Sequence, residues 1–124
     1  MPTIAVIGAS GNRTKFGNRC VRAYSQRGWT VYPINPRESM IEGLAAYKSI
    51  LDVPAGVIDL VSIYLPAAAG MKVLEEVAQR ETKEVMLNPG ADDALVVAKA
   101  RELGLNVVTG CSIIALGVRP SDMD

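Results

Sequence analysis

Within ten residues, Gly8-Ala9-Ser10-Gly11-Asn12-Arg13-Thr14-Lys15-Phe16-Gly17 gathers the groups that hold an anion. Glycines let a backbone come close to a ligand. Ser10 and Asn12 bring neutral donors, and Arg13 and Lys15 bring positive charge. The apolar run Thr3-Ile4-Ala5-Val6-Ile7 precedes this loop and a helical pattern follows it. Backbone N–H groups at the start of that helix therefore face whatever the loop holds. The spacing is not G-x-G-x-x-G, because Ser10 stands in place of the second glycine. It is not a P-loop either, because no Gly-Lys-Ser/Thr occurs. The loop predicts a phosphate-bearing ligand; the alternative is a structural turn carrying solvated polar residues.

A further cation stands after the next apolar run, in Asn35-Pro36-Arg37. A dinucleotide-binding domain for NAD presents an acid here to hold the ribose hydroxyls. This chain has no acid before Glu38 and presents Arg37 instead. A cation there suits a phosphate on the ribose, which NADP carries on the 2′ oxygen and coenzyme A on the 3′ oxygen. The alternative is a surface arginine in a loop. Leu65-Pro66, followed by two alanines, offers an apolar wall for an adenine ring or pantetheine arm, or simply ends a strand and opens a helix. In Asn88-Pro89-Gly90, Asn88 offers both a donor and an acceptor; a turn serves equally well. Cys111, after Thr109-Gly110, is either a thiol at the ligand-facing rim or a small buried hydrophobe. Cys20 falls mid-helix on an apolar face and belongs to the core.

The elements that must position these groups alternate along the chain. Five strands are predicted, at Thr3–Ile7, Thr30–Ile34, Leu60–Leu65, Glu84–Leu87 and Asn106–Val108. Helices are predicted from Gly17 to Arg27, Ala68 to Gln79 and Asp92 to Leu103, the first stopped by Gly28 and the last by Gly104. Between Asn35 and Gly56 the pattern is irregular, apart from a helical turn near Ser49-Ile50-Leu51. Strands alternating with helices predict a doubly wound parallel sheet of Rossmann type with right-handed crossovers. Ligands in such sheets bind outside the carboxyl ends of the strands, where each of the residues above falls.

Composition narrows the chemistry. The 124 residues are expected to form one domain, 1–124, with 49% apolar and 21% charged residues. Net charge is zero, which argues against non-specific nucleic-acid binding. The charge is unevenly spread: residues 1–40 carry six cations and one anion, and residues 41–124 carry seven cations and twelve anions. A basic first third points to a local anion site. No histidine occurs, so Ser-His and Cys-His catalysis and His-ligated zinc are excluded. Two cysteines cannot build a four-thiolate metal site. No signal or membrane-spanning pattern is present, so a cytoplasmic protein is expected.

Taken in order, Gly8-Ala9-Ser10, Lys15-Phe16-Gly17, Val31-Tyr32-Pro33-Ile34-Asn35-Pro36, Asp59-Leu60-Val61, Leu65-Pro66, Asn88-Pro89-Gly90 and Cys111 resemble the small stand-alone CoA-binding proteins. These are similar to the amino-terminal CoA-binding domain of the succinyl-CoA synthetase alpha subunit. The resemblance runs from about Thr3 to Leu116. It implies a Rossmann-like sheet of order 3-2-1-4-5 and a glycine loop, around Gly8, Ser10, Asn12, Lys15 and Gly17, that holds CoA phosphates. It also implies that Arg37 meets the ribose 3′-phosphate, that Leu65 and Pro66 line the nucleotide, and that Cys111 matches a cysteine near the last strand. Met86-Leu87-Asn88-Pro89 stands where many stand-alone members carry Trp-x-Gln. The synthetase's phosphorylated histidine belongs to another domain, so the synthetase reaction lies outside this chain alone.

The leading expectation is a non-catalytic module that binds CoA or an acyl-CoA. The alternatives are an NADP-binding oxidoreductase or regulator, a redox-sensitive protein that pairs Cys111 with the CoA thiol, and an interaction subunit with a vestigial site. In the last case the tail Ile113-Ile114-Ala115-Leu116 either packs at home or joins a homodimer.

Overall fold

The computed structural model describes residues 1–123. The chain runs β1 (Thr3–Ile7), α1 (Phe16–Gln26), β2 (Thr30–Ile34), β3 (Met40–Ile41), β4 (Leu44–Ala45), a 3-10 turn (Ile50–Asp52), β5 (Val57–Ile63), α2 (Ala67–Val77), β6 (Glu81–Leu87), α3 (Ala94–Glu102), β7 (Val107–Thr109), α4 (Ser112–Ala115) and a final 3-10 turn (Pro120–Met123). Five strands form one parallel sheet in the order β2-β1-β5-β6-β7. Counting the five strands expected from the sequence, this order reads 2-1-3-4-5. An isolated parallel bridge joins Ile34 to Tyr47 beside β2. With that segment counted as strand three, the arrangement is the expected 3-2-1-4-5, continued by β7; only the numbering shifts.

Alternation along β1 shows how the core divides. Ala5 and Ile7 face a cluster with Ile58, Ile63, Leu74, Val85, Leu87 and Val96. Ile4 and Val6 face a second cluster with Cys20, Val21, Tyr24, Met86 and Ile113. Apolar side chains on both faces are what a parallel sheet covered by helices requires.

Two strands are longer than their sequence pattern suggests. β5 begins at Val57 and β6 at Glu81, where Val57 and Glu81 are register partners. In β6 the segment Glu81-Thr82-Lys83-Glu84 alternates between exposed and half-buried residues. Its charges obscure a strand that only the neighbouring β5 completes. The irregular stretch holds a small antiparallel hairpin, Met40 on Ala45 and Ile41 on Leu44. Glu42 turns it with φ at 51°, a left-handed conformation rare for a side chain of this kind. The Glu42 carboxylate accepts from Asn18 Nδ2 at 3.1 Å and lies 3.8 Å from Arg13 Nε. Arg80 holds the 3-10 segment, donating to the carbonyls of Ile50, Val53 and Ala55. Among the described residues no helix is long and apolar enough to cross a membrane.

Candidate functional site

A cleft of about 830 Å³ opens at the carboxyl ends of β1, β2, β5 and β6. This is a size suited to a cofactor. Its first wall is the loop between β1 and α1. Gly8 has φ at +93°, and a Cβ there would lie 2.7 Å from the Tyr64 carbonyl oxygen. A Cβ at Gly17 would overlap the carbonyl oxygen of Gly8. Glycine at these two positions lets α1 begin hard against β1.

Two buried or half-buried amides brace the same loop. Asn18 is fully buried and donates to the Ser10 carbonyl at 2.8 Å. Asn35 donates to the Ala9 carbonyl at 2.9 Å. Its Oδ1 accepts from the N–H groups of Arg37 at 2.7 Å and Glu38 at 3.0 Å. The loop is thereby tied to α1 on one side and to the end of β2 on the other.

The electrostatics of the cleft are cationic. α1 starts at Lys15 with no side-chain cap and no acid in its first turn. α2 starts at Pro66 with the same two features. Uncapped helix starts leave N–H donors unsatisfied and carry partial positive charge. Lys15, Lys48 and Lys72 line the cleft, and among the described residues no carboxylate pairs with them. Glu76 is the one carboxylate among the described lining residues; it accepts a hydrogen bond from the Ser49 hydroxyl. Such a cleft can hold an anion at more than one point. No group of three or more His, Cys, Asp or Glu among the described residues is placed to hold a metal.

Of the residues singled out from the sequence, Gly8, Ala9, Ser10, Lys15, Phe16, Gly17, Asn35, Pro36, Leu65, Pro66 and Gly90 line this cleft. Five others do not. Asn12 folds back as a local turn, its Oδ1 accepting from the Thr14 N–H at 3.0 Å and hydroxyl at 2.7 Å. Arg13 is turned toward Glu42. Arg37 is exposed outside the lining, because the turn closed by Asn35 directs it outward. Asn88 is fully buried and its amide is committed: it donates to Ser62 Oγ and the Ile63 carbonyl, both at 2.9 Å, and accepts from the Ser112 N–H at 2.8 Å. Cys111 is half-buried against the core cluster beneath α1. Cys20 is in that cluster, as its place on the helix predicts, and burial pushes its thiol up to about 12.

Sequence reasoning missed Lys48, Ser49, Tyr64, Lys72 and Glu76. Lys48 and Ser49 lie in the irregular stretch, beside the isolated bridge that joins Tyr47 to Ile34. For α2 a signal existed: Ala69, Lys72, Val73 and Glu76 recur at helical spacing and so share a face. That face lies one turn past Pro66 and includes the two charges.

The model of the CoA binding domain family matches residues 2–117 of this chain. The alpha subunit of the ADP-forming acetate–CoA ligase II of Pyrococcus furiosus is 36% identical over 85 residues, covering 68% of this chain and 18% of the ligase subunit. The ADP-forming 4-hydroxybutyrate–CoA ligase of Nitrosopumilus maritimus is 39% identical over 87 residues, covering 68% of this chain and 12% of the ligase. The chain thus spans less than a fifth of these relatives. Among solved structures, a hypothetical protein from Pyrococcus horikoshii superposes with a TM-score of 0.82 at 26% identity, over 91% of this chain and 82% of that one. The dinucleotide-forming acetyl-coenzyme A synthetase 1 of Candidatus Korarchaeum cryptofilum, in complex with phosphate and ADP, superposes at 0.73 with 28% identity, over 86% of this chain and 25% of that one. A match that spans nearly every element from β1 to α4, and with it the glycine loop and the cleft, assigns this chain to the CoA binding domain family.

Proposed function

We propose that this chain binds coenzyme A, or an acyl-CoA, in the cleft and does no chemistry on it. The observation that carries the reading is the convergence on one cleft of an uncapped α1 start, the glycine loop and three lysines that have no carboxylate partner among the described residues. Family membership supports coenzyme A as the polyphosphorylated ligand, and the relatives are CoA ligases by name. In this reading the loop and Lys15 hold the diphosphate. Lys48 and Lys72 inside the cleft supply charge for the ribose 3′-phosphate, while Arg37, expected in that role from the sequence, points away from the cleft. Leu65 and Pro66 provide apolar wall. With no histidine in the chain, neither acyl transfer by a His-activated nucleophile nor a phosphohistidine step is open to it.

Calorimetric titration with CoA, dephospho-CoA, NADP and NAD at one salt concentration tests the proposal. CoA should bind most tightly, and loss of the 3′-phosphate should cost about tenfold, or about 1.4 kcal/mol. Equal binding of CoA and dephospho-CoA would remove the ribose-phosphate role of these cations. Binding of NADP alone would replace CoA as the ligand.

A further inference from the structure

The glycine loop already holds an anion, and that anion comes from the chain itself. Gly11 donates its N–H to both carboxylate oxygens of Glu38, at 3.1 Å to Oε1 and 3.0 Å to Oε2. Asn35 Nδ2 donates to Oε2 at 3.2 Å. The carboxylate lies close over this residue: a Cβ at Gly11 would overlap Glu38 Oε1. Glu38 is half-buried and, among the described residues, no lysine or arginine pairs with it. Among the described residues its charge is met by an amide and a backbone N–H. Yet it is the only acid in residues 1–40, which carry six cations. Ser10 and Asn35, on either side of the contact, both line the cleft.

We propose that Glu38 is an internal anion that occupies the loop in the free protein and is displaced by the diphosphate of the ligand. Two anions cannot share the Gly11 N–H, and like charges brought to one site repel. Displacement makes Glu38 a residue that selects for ligands. A polyanion that also engages Lys15 and the α1 start replaces the carboxylate. An anion with a single charge gains too little to do so. This inference rests on the reading that the loop binds the phosphates of CoA.

Glu38→Gln keeps the size of the side chain and removes its charge. Wild type and variant are titrated with CoA and, separately, with inorganic pyrophosphate, while the Gly11 amide resonance is followed by NMR. The expected result is that the variant binds both ligands at least tenfold more tightly than wild type, and that the Gly11 resonance moves on binding. Equal or weaker pyrophosphate binding by the folded variant overturns the proposal, because Glu38 is then a scaffold rather than a competitor. If CoA binds neither protein while pyrophosphate binds the variant more tightly, Glu38 remains the internal anion and CoA is not the ligand. Should Glu38→Gln fail to fold, Glu38→Asp serves instead. Its carboxylate is one methylene short of the Gly11 N–H, and the same gain in pyrophosphate affinity is expected.

Discussion

The amino ends of α1 and α3 both follow strands of the sheet, and they are finished in opposite ways. At α3, Asp93 accepts from the Leu95 N–H at 2.9 Å, and its neighbour Asp92 accepts from the Gly90 N–H at 3.2 Å. Lys99 and Arg101 occupy the last turn, so both ends of α3 oppose the helix dipole. At α1 the capping position is a lysine, no side chain caps it, and the first turn holds no acid. α2, which opens on Pro66 beside the cleft, follows α1 in this. A helix start that the chain satisfies for itself is structural. One left open next to a cationic cleft keeps its donors for something else, with Glu38 standing on the adjoining loop in the meantime.

That contrast is easiest to break at Gly17. Replacing it with alanine forces a side chain into the Gly8 carbonyl and separates α1 from β1. The expected cost is about 2–3 kcal/mol of stability in denaturant unfolding, with loss of CoA binding. Unchanged stability would show that α1 does not need this close approach. Lys15→Ala sharpens the contrast from the ligand side. CoA affinity should fall about tenfold, or about 1.4 kcal/mol, while stability stays within about 0.5 kcal/mol. Asp93→Ala is the mirror experiment. Unfolding should show a loss of about 1 kcal/mol, and calorimetry should show CoA affinity unchanged. A drop in affinity there would place α3 in the site.

The smallest effect is expected at the opposite edge of the sheet. Asp59 Oδ2 accepts from the Thr3 N–H at 2.8 Å, and Lys83 Nζ lies 3.2 Å from Oδ1. The Thr3 hydrogen bond first, and Lys83 next, hold this carboxyl below its usual value. A carboxyl so held contributes stability above its unfolded value, and the contribution is lost as pH falls through the lower folded value. Asp59→Asn should therefore lower Tm modestly at neutral pH, and the gap from wild type should close in acid. A gap that persists in acid would mean that the amide disrupts the Thr3 contact itself.

How much of this was legible beforehand differs between fold and site. Period and punctuation exposed α1 and β1, where Gly8 and Gly28 bracket unambiguous patterns. They shortened β6, because Glu81 and Lys83 look like loop residues until β5 pairs beside them. In the site, the glycine loop, Asn35-Pro36 and Leu65-Pro66 were legible, because residues that follow a buried strand must stand at the sheet's carboxyl edge. Asn88 and Cys111 follow strands too, yet the chain turns them inward. Asn88 joins β5 to the start of α4, and Cys111 settles beneath α1.

The sequence by itself determined the alternating α/β order, the buried strands, the loop with its glycines and cations, and the absence of histidine chemistry. These depend on local pattern: which residues are apolar, which can take a left-handed or close-packed backbone, and which carry charge. Tertiary structure decided which charges line the cleft. Asn35 accepts from two successive N–H groups, which directs Arg37 outward and brings Glu38 back onto Gly11. Lys48 and Lys72 reach the cleft from segments distant in the chain. The Asn35 turn is local, but the contact of Glu38 with Gly11 and the meeting of Lys48 with Lys72 depend on segments that folding brings together.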